Sequence, residues 1–295
     1  MAIINIQFTL FSAFYSPLIS MMSGGFLKDE GLDYEWSVSA PGVSAVEAIS
    51  DGSAQVIQSA PSHAFTALLQ GSQSPAVHFA QVNEMDGFFV SAREPDEAFQ
   101  WKQLEGAEVV MFGGGQPNAM FRYACHKAGI DYDSIIPITP GGPEDIDQAF
   151  RAGEGQYVQQ QGPYPQRLES EGIGSIVAQV GPLIGPCAFS SLAASRKWLQ
   201  SDEAKAFTRA YTKSRQYLNQ ASAREIAEAE YPYFAECSLT ALENCIATYQ
   251  QLGCWTPHVE ISREAFEVTL DVFEYTGGIA QRFAYDQVCC APPKI

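Results

Sequence analysis

The chain has 295 residues, 46% of them hydrophobic and only 17% charged, a length for one large domain or two ordinary ones. That balance excludes a disordered chain, a coiled coil and a collagen-like fibre. Seventeen basic residues against 34 acidic ones leave a net charge of −17. The basic residues are scattered, so no patch offsets the repulsion from nucleic acid or anionic lipid. No apolar run reaches the roughly eighteen residues of a membrane span.

Residues 3–10 alternate and predict a strand that begins at once, without a basic leader, a separate apolar run or a small-residue cleavage site. Cys125, Cys187, Cys237, Cys245, Cys254, Cys289 and Cys290 make an odd set of seven, which suits reduced thiols in a cytoplasmic protein. The alternative is a periplasmic protein whose signal segment is absent from this sequence.

Strand and helix signals then alternate, predicting an α/β architecture. Residues 17–27 read as a helix opened by Pro17 and closed by Gly24, Gly25 and Gly31. Residues 33–38 alternate as a strand, 43–50 form a short helix, 55–58 a strand and 62–70 a helix. Strands at 77–82 and 88–91 close a first set. A second set follows: strand 108–112, a glycine turn at 113–115, helix 119–128, strand 133–139, helix 144–152, strand 156–160 and strand 177–180. After Gly185 and Pro186 the chain returns to a strand at 188–193, and from Ser201 to about Arg282 it is mainly helical. The expected division is two lobes, residues 1–90 with 190–295 and residues 91–189, joined by two crossings that act as a hinge.

Several segments carry a family likeness. The run Gly25-Phe26-Leu27-Lys28-Asp29-Glu30-Gly31-Leu32 resembles a helix ending found in solute-binding proteins of the nitrate, sulfonate and taurine transporters. Their relatives include thiamine-pyrimidine-precursor binding proteins and synthases. Residues 47–56, the Ser59-Ala60-Pro61-Ser62 loop and the Leu104-Glu105-Gly106 entry follow in the family's order. The resemblance implies a periplasmic-binding-protein-like fold (type II), two lobes around a ligand cleft, and an ABC permease as partner. It leaves binding or catalysis open. Where the family shows Gly-x-Val-Asp-Ala, Gly155-Gln156-Tyr157-Val158-Gln159 stands instead, and the dense cysteine and histidine signature of the synthases is missing.

In such a fold, ligands sit where strands end and helices begin. Phe14 and Tyr15 in the first loop offer a stacking surface and Ser16 a donor; capping of the first lobe's core is the alternative role. Ser59, Ala60, Pro61 and Ser62 form the second loop, with Ser62 also placed as a helix cap. Gly114, Gly115, Gln116 and Asn118 form the third, where glycines admit close approach of a ligand and the helix offers a positive end. It lacks the Gly-Lys-Ser/Thr ending of a phosphate loop. Gln161 and Tyr164 follow the strand at 156–160, with amides suited to a heterocycle's edge. Asp86 at the first crossing can accept from an amino group, or simply make a turn. Cys187 stands at the second crossing, although a buried thiol without a tied histidine is ordinarily inert. His63 is expected to be structural, because its neighbour Ser62 points elsewhere on the helix. No ligand spacing for a metal exists, and no cofactor is expected.

These features predict a binding protein that closes on a small molecule, either a planar, pyrimidine-like heteroaromatic or a small anion. A cytosolic enzyme on the same fold is the alternative.

Overall fold

A computed structural model describes residues 1–40 and 43–295. Strand β1 (Ala2–Phe8) buries Ile4, Ile6 and Phe8 on one face, as a period of two requires. A one-turn 3-10 segment, Ala13–Tyr15, leads into α1 (Ser16–Ser23), with Pro17 in its first turn. Gly24 and Gly25 break the expected single helix, and α2 is only Phe26–Asp29. There follow β2 (Leu32–Val38), α3 (Ala45–Asp51), β3 (Val56–Ser59), α4 (His63–Leu69) and β4 (Val77–Asn83).

The second series is β5 (Phe88–Ala92), β6 (Glu108–Val110), α5 (Gly115–Ala128), β7 (Ile136–Ile138), α6 (Pro143–Arg151), β8 (Tyr157–Gln161), α7 (Tyr164–Ser170), β9 (Ser175–Gln179) and α8 (Gly181–Ile184). Then come β10 (Ser190–Ala194) and the helices α9 (Asp202–Leu218), α10 (Ala223–Glu230), α11 (Leu239–Leu252), α12 (Arg263–Tyr275) and α13 (Tyr285–Val288).

The strands make two five-stranded sheets, in the orders β2-β1-β3-β10-β4 and β7-β6-β8-β5-β9. In each, four strands run parallel, and a strand that has come across from the other half, β10 or β5, inserts antiparallel between two of them. Residues 88–91, expected to complete the first set, therefore belong to the second sheet. The chain passes between sheets at residues 84–87 and again at 185–189. Parallel strands require helical crossovers, and these place the loops after β1, β3, β6 and β8 along the edges where the sheets face one another.

Around the crossings the core is continuous and aromatic. Phe14 lies 4.8 Å from Tyr249 and 5.4 Å from Phe189, ring centre to ring centre. Gly87 is obligatory there, since a Cβ would fall 2.3 Å from the Phe14 ring. Each such ring contributes about 1.5–3 kcal/mol by burial. The C-terminal helices were expected on the first lobe alone. Instead α11 packs on α7, and α12 packs on α5, so both also touch the second. No described helix is long and apolar enough to cross a membrane.

Candidate functional site

A cavity of about 400 Å3, its mouth included, lies between the facing sheet edges. The first sheet supplies Thr9 and Leu10 after β1, Tyr15, Gln58 and Ser59 at the end of β3, then Ala60 and His63. Phe88, Gln116, Pro117 and Gln161 come from the second, and Phe189 and Ser190 from the returning chain. No lysine, arginine, aspartate or glutamate lines it.

Polar atoms in this cavity are unequally occupied. Gln58 is engaged at both amide atoms: its Oε1 accepts from the Thr9 N–H at 3.2 Å and its Nε2 donates to Ser190 Oγ at 2.8 Å. Gln116 is committed too. Ser62 Oγ donates to its Oε1 at 2.6 Å, and its Nε2 donates to the Phe189 carbonyl. Gln161 differs. It is 2% exposed and its Oε1 meets no partner. Burying an amide oxygen without a donor costs about 1–3 kcal/mol, so a partner enclosed between the sheets is the natural complement.

Burial holds the Tyr15 hydroxyl well above the usual phenol range, against the opposing pull of amide bonds from Gln161 and Gln58. It stays a neutral donor. His63 Nδ1 pairs with Ser59 Oγ at 2.7 Å. Desolvation by the surrounding walls lowers its pKa, although the ring keeps an exposed edge at the mouth. From sequence, His63 was weighed only against its neighbour Ser62, so this contact with Ser59 was missed.

Of the sequence-derived candidates, Tyr15, Ser59, Ala60, Gln116 and Gln161 meet in the cavity. Ser62 reaches it only through Gln116, and its hydroxyl makes no helix cap. The others lie elsewhere. Phe14 is hinge core. Ser16 is buried behind α1 against Glu230. Pro61 turns the backbone, its carbonyl accepting from Ala64 N–H at 3.1 Å. Gly114 and Gly115 form the start of α5 without lining the cavity. Asn118 Nδ2 is spent on the Phe112 carbonyl and the Tyr132 hydroxyl. Tyr164 donates to Glu144 in a separate outer groove.

Asp86 and Cys187 are fully buried beneath the cleft. Burial raises the Asp86 carboxyl to about 7, opposed by the Phe88 N–H on its Oδ1. Burial, with Asp86 nearby, also pushes the Cys187 thiol up, so it stays protonated and is no nucleophile. The residues missed by sequence, Thr9, Leu10, Gln58, Phe88, Pro117, Phe189 and Ser190, sit at strand ends or crossings. Their positions in the chain were the only available signal. Among the described residues, no group of three or more His, Cys, Asp or Glu could hold a metal ion.

The sequence profile of the NMT1-like family matches residues 9–229. YtlA of Bacillus subtilis (strain 168), named as an unproven binding protein, is 28% identical over 281 residues, 94% of this chain and 84% of that relative. Among solved structures, the ligand-binding component of an ABC-type import system from Staphylococcus aureus superposes with a TM-score of 0.77 at 14% identity, covering 99% of this chain and 97% of that one. The periplasmic aliphatic sulphonate binding protein SsuA from Escherichia coli gives 0.73 at 15% identity, covering 100% and 94%. The periplasmic nitrate-binding protein NrtA from Synechocystis PCC 6803 gives 0.65 at 15% identity, covering 100% and 92%. At these identities the likeness carries the fold, a periplasmic-binding-protein-like α/β architecture with two lobes around a cleft. With three quarters of its length matched by the family profile, the chain belongs to the NMT1-like family.

Proposed function

We propose that this protein is the solute-binding component of an ABC-type importer, and that it closes two lobes on a small, uncharged, planar solute bearing an N–H or O–H donor. The lobes divide at the crossings, near residues 84–87 and 185–189. One observation carries the choice of solute: the cavity is uncharged, and its unpartnered buried atom, Gln161 Oε1, is an acceptor. A nitrate or sulfonate oxygen would face that carbonyl lone pair to lone pair, with no guanidinium or ammonium to compensate. A heterocyclic N–H satisfies it, and Phe88 and Phe189 give the cavity an aromatic wall. Stacking on such rings contributes roughly 0.5–1.5 kcal/mol beyond area burial.

An import role gives the protein a permease partner and favours a place outside the cytoplasm, in contrast to the cytoplasmic expectation from its cysteines. SsuA and NrtA are periplasmic by name, and the free, buried thiols here do not require a reducing compartment. Calorimetric titration tests the proposal, with uncharged aminopyrimidines and lactams as one arm and methanesulfonate and nitrate as the other. Binding confined to the neutral arm, weakened by about 1–3 kcal/mol in Gln161→Ala, is expected. Tight binding of the anions, indifferent to that substitution, would refute it.

A further inference from the structure

Beyond the Gly162 turn, on the far side from the cavity, a second groove of about 610 Å3 runs between the lobes. Leu10 and Gln161 face the inner cavity, whereas Phe11, Pro163 and Tyr164 face this outer groove. One wall is aromatic: Phe11 lies 5.2 Å from Phe234 and 6.5 Å from Tyr233, backed by Trp36 at 4.7 Å.

The charges of the groove are divided. Arg151, in the adjoining pocket that shares Glu144, Tyr164, Arg167 and Glu236, is consumed by Asp147 and Glu171. Arg167 has no hydrogen-bond acceptor among the described residues: its guanidinium lies 5.6 Å from the centre of the Tyr164 ring, and its Nε is sealed from water without a partner. Every other arginine of the described residues donates to a carboxylate or a carbonyl. Two carboxylates share the groove with it. Glu144 receives only the Tyr164 hydroxyl, at 2.9 Å, and the exposed Glu236 lines the same groove.

We propose that the outer groove is a second solute site, for a small zwitterion with an aromatic or apolar body. The carboxylate sits on Arg167 and the ammonium on the Glu144 and Glu236 side. A simple anion would meet those two carboxylates, and a simple cation would meet Arg167; a zwitterion satisfies both and is not opposed by the net charge of −17. The two terminal Nη groups of a guanidinium form a fork that matches the two oxygens of a carboxylate. The aromatic wall takes the body of the solute and favours a nearby ammonium.

Phenylalanine is the probe, with phenylalaninamide lacking the carboxylate and 3-phenylpropionate lacking the ammonium, each titrated into the full chain. Phenylalanine should bind at least about tenfold more tightly than either analogue, and Arg167→Gln should abolish that advantage. Gln161→Ala should leave phenylalanine binding unchanged, which keeps this result separate from the fate of the inner cavity. If Arg167→Gln does not fold, Glu144→Gln provides the reading, with weaker phenylalanine and stronger 3-phenylpropionate binding. Absence of phenylalanine binding at millimolar concentration would overturn the proposal. So would equal binding of the three compounds, indifference of folded Arg167→Gln or, in its place, of Glu144→Gln, or loss of binding in Gln161→Ala.

Discussion

Ser16 Oγ stands 2.8 Å from the Ala13 carbonyl and 2.7 Å from Glu230 Oε2, and a serine has one hydrogen to give. Both contacts are satisfied if Ser16 donates to the carbonyl and accepts from a protonated Glu230. Burial supports that state, raising the Glu230 carboxyl from 4.5 to about 8 against the hydroxyls of Ser20 and Ser16. The folded protein then keeps a proton that the unfolded chain releases. This contribution to stability is complete below the unfolded pKa of 4.5 and is lost as pH rises through about 8. From about pH 5 to about pH 8 the unfolding free energy of the wild type should fall more steeply than that of Glu230→Gln, by at most ~1.4 kcal/mol per pH unit. Urea unfolding at several pH values measures both slopes, and parallel slopes would mean that Glu230 is ionised in the fold. Tyr15 shows how far a single residue was legible. Its place beside the cleft followed from its position after the first strand, but stacking and core capping were both open from sequence, and the residue is 4% exposed. Tyr15→Ala should therefore cost the ligand-free protein about 3 kcal/mol or more. Tyr15→Phe should spare its melting and weaken solute binding by about 0.5–1.5 kcal/mol.

Helices and loops carry the contacts that hold the lobes together. The start of α4 reaches the start of α5 through Ser62 and Gln116. On the other flank, Ser12 Oγ donates to the Gly162 carbonyl. Tyr249 on α11 accepts from Gly162 N–H at 2.7 Å and donates to the Gly87 carbonyl at 3.0 Å, tying the first crossing to the loop that carries Gln161. Gly162 has no room for a side chain, since a Cβ would fall 2.3 Å from Cys245 Sγ. These bonds join one lobe to the other, so they favour the closed arrangement. Ser62→Ala should enlarge the radius of gyration of the ligand-free protein in small-angle scattering and weaken solute binding by roughly 1 kcal/mol. An unchanged radius would leave Ser62 outside the closure equilibrium. At this scale the sequence was read well where periodicity and glycine punctuation agree, as in β2 and α6. It failed at β5. Residues 88–92 are buried on both faces, so alternation could not say which sheet they join, and that membership depends on pairing with β8, some seventy residues on.

For the molecule as a whole, the alternating strands and helices and the late helical tail sufficed for a two-lobed α/β fold. Contacts of high sequence separation, such as Ser62 with Gln116 or Phe14 with Tyr249, leave no local trace and were invisible. Cysteine usage was informative about packing: six of the seven thiols are buried, Cys290 is half-buried, and none is paired. Thiol labelling of the native protein should accordingly start at Cys290, and all seven should react after denaturation without reductant; two or more protected pairs would contradict the packing. The central claim is that one solute is held between the two lobes. Amide hydrogen exchange with and without a bound neutral heterocycle tests it most directly. Slowed exchange is expected together in residues 9–15 and 58–63 on one side and in 116–119 and 159–162 on the other. Protection confined to one of these sides would contradict it.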